Sequence, residues 1–142
     1  MSLINKFQTY FQSEKTRFLK FAVVGISGVI VNEGLLALFT EIYSLQVPIA
    51  GAIAIEASII SNFLLNNFWT WQDSHDKSFL KRLIQYHSVS IIAGLVNYFI
   101  LIGLTYFGLH HLIANLIGIA FATLINFVIN NHWTFAKKLS EE

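Results

Sequence analysis

Four apolar stretches, at about Phe18–Thr40, Val47–Phe68, Leu83–Phe107 and Leu112–Asn131, take up most of this 142-residue chain. Each is close to the ~20 residues a helix needs to cross ~30 Å of hydrocarbon. Packed as a soluble bundle they would need a polar exterior, yet only 12% of the residues are charged and 55% are hydrophobic. The expected fold class is therefore an all-α membrane protein with four transmembrane helices. With no cysteine, disulfides and thiolate metal sites are excluded. Residues 1–20 are polar and mixed in charge, without the apolar core of a cleavable signal.

The connections differ in charge. Residues 41–46 and 108–111 contain no Lys or Arg, whereas Lys6, Lys15, Arg17, Lys20, Lys77, Lys81, Arg82, Lys137 and Lys138 lie before, between or after the two helix pairs. The positive-inside rule puts both termini and the central loop in the cytoplasm. Trp69, Trp71 and Trp133 fall where the second and fourth spans emerge on that side and are expected to be interfacial anchors. Before the first span, Leu3, Ile4, Phe7, Tyr10, Phe11 and Phe18 recur at helical spacing among basic residues, the pattern of an amphipathic helix on the inner leaflet. A partly ordered tail is the alternative.

The chain also repeats itself. The segment Asn62-Phe-Leu-Leu-Asn-Asn-Phe-Trp-Thr-Trp71 returns as Asn126-Phe-Val-Ile-Asn-Asn-His-Trp-Thr-Phe135. Arg17 aligns with Arg82 and Asn32 with Asn97 at an offset of 65, which falls to 64 after the outer loop. Each repeat reads as a helical hairpin that starts and ends in the cytoplasm, so the two units are parallel repeats. The expected boundaries are a cytoplasmic amphipathic segment at 1–16, a transmembrane domain at 17–137 and a cytoplasmic tail at 138–142. Within the domain the repeats cover about 17–71 and 82–135.

Along the second helix of each repeat, Ala50, Ala54, Ser58, Asn62 and Asn66 match Ala114, Gly118, Ala122, Asn126 and Asn130. Small residues at every fourth position let helices approach closely in lipid, with Gly25 and Gly28 as receiving positions in the first span. Asn62, Asn66, Asn126 and Asn130 lie near the inner interface. Carboxamides there can hold phosphate or sugar oxygens without an ionic desolvation cost, or can simply hydrogen-bond between helices. Lys81 and Arg82 stand at the same level, as phosphate ligands or as topology anchors. Glu33 and Glu56 are the carboxylates deep in the spans, where a charge costs at least about 2.5–3.5 kcal/mol. They read as a sugar or proton site in the outer half, or as protonated carboxyls hydrogen-bonded to backbone. Their second-repeat counterparts are Tyr98 and Ala120. No metal-ligand set, nucleophile elbow or phosphate-binding glycine loop is present.

The opening Phe21-Ala-Val-Val-Gly25 and the twice-used Asn-Phe-x-x-Asn-x-x-Trp-Thr-aromatic closing resemble the GtrA/GtcA family over about residues 17–137. The resemblance implies a non-catalytic, cofactor-free protein of the bacterial cytoplasmic membrane. Its implied role is to move a polyprenyl-phosphate-linked sugar across the bilayer for polysaccharide, teichoic acid or O-antigen glycosylation. Implied partners are the lipid-linked sugar, membrane lipids and a polyprenyl-phosphate glycosyltransferase, with a homo-oligomer plausible for so small a bundle and no nucleic acid. Asn67 and Asn131 stand where the family often has a basic residue, which leaves Lys81 and Arg82 as cationic candidates. Two rival readings are a non-transporting partner of a glycosyltransferase and a small proton-coupled exporter. One-sided placement of every Lys and Arg argues against the exporter.

Overall fold

A computed structural model describes the backbone of residues 3–74 and 76–136, with side chains from residue 12 onward. No strand occurs among the described residues. Helix α1 (Leu3–Ala37) passes into a π-helical turn, Leu38–Ile42, and α2 (Val47–Leu65) into a second, Asn66–Thr70. Helix α3 (Phe79–Tyr106) is followed by α4 (His111–Ile129), which ends in a third π-helical turn, Asn130–Thr134. All four helices are long and apolar enough to cross a membrane. The α-helical part of α2 has 19 residues, or about 28 Å at 1.5 Å per residue, close to the hydrocarbon thickness.

The chain divides into two compact units, Met1–Asp73 and Ser74–Glu142. In the first, α1 packs on α2; in the second, α3 packs on α4. No break separates residues 3–16 from the first span, so the expected inner-leaflet helix and that span form one continuous α1. The amphipathic side chains expected before residue 12, and the tail at 138–142 with Lys137, lie outside the described residues.

Local sequence explains the helix ends. Gln46 is extended, and Pro48 occupies the first turn of α2, where its missing N–H costs nothing. Ser78 caps α3 by accepting from the Lys81 amide (3.4 Å), and His110 caps α4 by accepting from the Leu112 amide (3.4 Å). Gly108 ends α3 in the left-handed region, φ 88°, where the absence of a Cβ removes the steric penalty.

Close approach within each hairpin rests on small residues. Ala50 and Ala54 on α2 are fully buried, as are Ala114 and Gly118 on α4. Lipid tails supply no hydrophobic drive between helices, so van der Waals contact at such positions must hold the pair. A Cβ on Gly28 would fall on the Asn62 carboxamide, and one on Gly118 would fall on the Asn97 carboxamide and within 3.0 Å of its backbone carbonyl. Gly25 faces nothing within 4 Å, so of the two expected receiving glycines only Gly28 plays that part. Outward faces stay apolar: Leu19, Val23, Ile26 and Ile30 on α1 and Leu112, Leu116 and Leu124 on α4 are exposed, as lipid-facing side chains must be.

The two contacts predict different costs. Gly118→Ala meets a backbone carbonyl that cannot rotate away and should destabilise the fold by about 1–3 kcal/mol. Gly28→Ala meets only the end of a side chain and should cost less while displacing Asn62. Gly25→Ala should be neutral or gain up to about 1 kcal/mol of helix propensity. Reversible unfolding in mixed detergent micelles checks the order.

Candidate functional site

The repeated motif folds into the same device in both units. At Asn66 the amide N–H is shared between the carbonyls of Asn62 and Phe63, and at Asn130 between those of Asn126 and Phe127. Beyond that fork the helix widens. The Trp71 amide reaches back five residues to the Asn66 carbonyl, and the Phe135 amide to the Asn130 carbonyl, each at 2.8 Å. The widened turn sets the last aromatic against the first helix of its hairpin. Trp71 meets the edge of Phe21 at 5.8 Å, and Phe135 meets Tyr86 at 6.4 Å.

This geometry revises several sequence expectations. Trp71 is fully buried, 0% exposed against 42% for Trp69 and 45% for Trp133. It is a packing residue and not an interfacial anchor, because the π-turn swings it onto α1. Asn66 and Asn130 are buried and occupied by their own helix ends. Asn66 Oδ1 accepts from the Thr70 hydroxyl at 2.7 Å, and Asn130 Nδ2 donates to the Asn126 carbonyl at 2.9 Å and also to Asn126 Oδ1. The i, i+4 spacing that made these residues look like a vestibule instead joins them to their own turns. Asn126 is thereby partly engaged, while Asn62 remains half-exposed beside Gly28.

At the basic end of the first unit, Arg17 is held by two carboxylates, Glu14 at 3.1 Å and Asp73 at 2.9 Å. Lys20 donates to the Trp69 carbonyl at 3.4 Å, and its ammonium stands 5.5 Å over the Trp69 ring. Arg17, Lys20, Thr70 and Asp73 line an open cleft of about 720 Å³. Sequence reasoning did not single out this cleft, although the Arg17–Arg82 alignment pointed to its level.

The basic end of the second unit is partnered differently. It carries Lys77, Lys81 and Arg82, with Asp76 the one carboxylate among the unit's described residues. Asp73 aligns with Lys137 at the offset of 64, so the carboxylate that bridges Arg17 is replaced in sequence by a cation. Arg82 is only 5% exposed and donates to the Lys77 carbonyl, and Lys77 Nζ donates to the Trp133 carbonyl. This relay fastens the start of α3 to the end of α4, whose terminal carbonyls favour a cation. Arg82 therefore differs from the expected open phosphate fork: burial and the Lys77 carbonyl turn it inward, and Lys81 is the exposed cation. Desolvation first, and the Lys81 charge second, hold the Lys77 ammonium below the ordinary lysine range. Beside them Gln85, aligned with Lys20, is buried with its Oε1 lacking a donor.

Deeper in the first unit, Gly28, Asn32, Glu33, Ile55, Ser58 and Asn62 are among the residues lining a groove of about 290 Å³. It brings Asn62, expected in the inner half, together with Glu33, expected in the outer half. Glu56 is exposed and does not line it. Glu33 and Glu56 are thus not brought together there. Asn32 contributes to the groove without having been picked out as a ligand, although its alignment with Asn97 marked the position.

Comparison with known proteins adds the family. A family model described as GtrA/DPMS, transmembrane domain, matches residues 20–138. The chain belongs to this family. A dolichol-phosphate mannosyltransferase of Pyrococcus furiosus is 39% identical over 125 residues, covering 88% of this chain. The matched region is 35% of that enzyme, so this GtrA/DPMS chain spans about a third of the relative's length.

The two tryptophans of the first motif should separate in a stability measurement. Trp71→Ala removes a buried ring and should cost about 3–5 kcal/mol. Trp69→Ala should cost no more than about 1 kcal/mol, the scale of a partly exposed cation–π contact. Thermal unfolding of the purified protein in detergent reads the difference.

Proposed function

We propose that this chain binds a polyprenyl-phosphate-linked sugar at its basic end and passes the headgroup between the leaflets of the cytoplasmic membrane, with both termini inside. The observation that carries this reading is the different partnering of the cations at the basic ends of the two hairpins. In the first, Arg17 is neutralised by Glu14 and Asp73. In the second, a desolvated Lys77 and an exposed Lys81 repel one another. A phosphate placed between two ammonium groups would relieve that repulsion and favour the charged form that desolvation disfavours. Arg82 would act by holding Lys77 in place. Membership of the GtrA/DPMS family and the likeness to a dolichol-phosphate mannosyltransferase both support a lipid-phosphate substrate.

The polyprenyl tail can remain in lipid throughout, so only phosphate and sugar need a polar path. That restricts the work to a few side chains, which suits a chain with no catalytic constellation and assigns glycosyl transfer to a partner. Self-association would widen the path. Cell-surface polysaccharide or teichoic acid glycosylation is the pathway class such a step would serve.

The relative favours a second reading. Because the match covers about a third of a mannosyltransferase, the chain could instead serve as the membrane partner of a polyprenyl-phosphate glycosyltransferase without moving lipid.

Proteoliposomes containing the chain alone and a fluorescent polyprenyl-phosphate hexose separate the two. Flipping predicts faster leaflet exchange than in protein-free vesicles, slowed about tenfold in K77Q/K81Q, the loss expected for one charge-assisted contact. No acceleration, with stable co-purification of a glycosyltransferase, would leave the partner reading standing and remove the autonomous flippase.

A further inference from the structure

We propose that the groove between α1 and α2 of the first unit is the sugar subsite, and that it selects a hydroxyl-rich sugar without negative charge. This rests on the lipid-phosphate reading above and adds to it a place and a selectivity for the sugar. The argument begins with hydrogen-bond polarity. Asn32 Nδ2 donates to Glu33 Oε1 at 3.1 Å, which fixes the orientation of that carboxamide, since only its nitrogen can donate to a carboxylate. Asn32 Oδ1 is then an acceptor, and it is buried with no donor. Ser58 spends its proton on the Ile55 carbonyl at 2.9 Å, so its oxygen also remains as an acceptor. Glu33 supplies a carboxylate, and Asn62 adds a buried Oδ1 that lacks a donor.

The groove therefore presents acceptors from two helices and few donors. Leaving such groups unmatched away from water is costly, about 1–3 kcal/mol for a buried one. A ligand that fits must bring donors, and sugar hydroxyls do so while also stacking apolar C–H faces on Ile55 and Val29, which line the same groove. A uronic acid would place a second carboxylate beside Glu33 in a low-dielectric setting and be repelled. The volume, about 290 Å³, is at the lower edge of small-molecule sites. From Gly25 to Glu33 the groove follows α1 for about 12 Å at 1.5 Å per residue. It thus reaches from the inner-half Asn62 to the outer-half Glu33.

The second unit does not repeat this chemistry. Tyr98 stands at the Glu33 position and Ala122 at the Ser58 position. Asn97, aligned with Asn32, donates instead to Asn115 Oδ1 at 3.4 Å, and its carboxamide sits over Gly118. Two of the four acceptors, Glu33 and Ser58, have no carboxylate or hydroxymethyl counterpart there, while Asn97 Oδ1, like Asn32 Oδ1, is buried without a donor but lies against Gly118. The sugar subsite accordingly belongs to the first unit.

The test is native mass spectrometry of the full chain in detergent with three probes of equal tail length: polyprenyl phosphate, polyprenyl-phosphate glucose and polyprenyl-phosphate glucuronate. The expected order of affinity is glucose, then bare phosphate, then glucuronate. Glu33→Gln keeps the shape and removes the charge, so it should bind glucuronate about tenfold tighter than the wild type does. Asn32→Ala should weaken the glucose lipid about tenfold and leave bare polyprenyl phosphate unchanged. Equal wild-type affinity for glucose lipid and bare phosphate would overturn the subsite while leaving the lipid-phosphate reading intact. So would variants that change all three probes alike, the result expected of a purely structural groove. Binding of none of the probes would overturn both.

Discussion

Lipid offers no hydrogen bonds to a carboxamide. Every asparagine within these helices must find a partner within the protein or wait for one that arrives with a ligand. The whole arrangement follows from how the asparagines meet that demand. Asn66 Oδ1 and Asn130 Nδ2 are engaged locally, by Thr70 and by Asn126, as part of the π-helical turn that ends each hairpin, while Asn130 Oδ1 keeps no donor. Asn97 reaches Asn115 while sitting over Gly118. Asn32 and Asn62 each retain an acceptor without a donor. Buried polar atoms left open are expensive wherever they occur, and both hairpins keep some: Gln85, Asn97 and Asn130 in the second as well as Asn32 and Asn62 in the first.

The π-helical turns have a second consequence. A single extra residue in the turn moves Trp71 and Phe135 from the outer surface to the hairpin interior, where they seal the basic end against Phe21 and Tyr86. The same widening leaves the carbonyls of Trp69 and Trp133 free to accept from lysine. Lys20 reaches the first from within α1, and Lys77 reaches the second from the loop before α3. One physical need, a cation at a helix C-terminus, is thus met from different places in the chain. In the second unit this uses a lysine that is also desolvated and close to another. Local capping and the electropositive character of that end are therefore the same fact.

Much of the fold was legible because bilayer thickness and helix rise leave few choices. Four apolar runs of the right length, with Pro48 and Gly108 at their ends, define the helices to within a few residues. Close packing at Ala50, Ala54, Ala114 and Gly118 was legible too, since the i, i+4 spacing of small residues marks a contact line. The π-turns were not, because an α-helix and a π-helix share composition and differ only in a backbone step. That step sets where Trp71, Asn66 and Asn130 point, which the spacing of the motif could not show. The orientation of Arg82 was hidden for a related reason. Proximity in sequence to Lys81 suggested a shared site, but consecutive helical positions point about 100° apart, and one turned in to the Lys77 carbonyl while the other faced out. Glu33 and Glu56 were paired by depth alone. Depth does not fix which face of a helix a residue occupies.

A sugar phosphate ester joins two unlike groups, an anion that calls for cations and a ring of hydroxyls that calls for neutral or negative acceptors. Placing both kinds of site in one helical hairpin would let its carboxylate neutralise its own cations, which is what happens where Asp73 and Glu14 bridge Arg17. In the second hairpin Lys77, Lys81 and Arg82 stand with Asp76 as the one carboxylate among the described residues, and the acceptor groove is a feature of the first. Under the proposed reading, this is the use made of a doubled hairpin whose halves have diverged. The shared residues keep each hairpin closed, and on that reading the positions at which the halves differ, Glu33 against Tyr98 and Asp73 against Lys137, are where their chemistry parts.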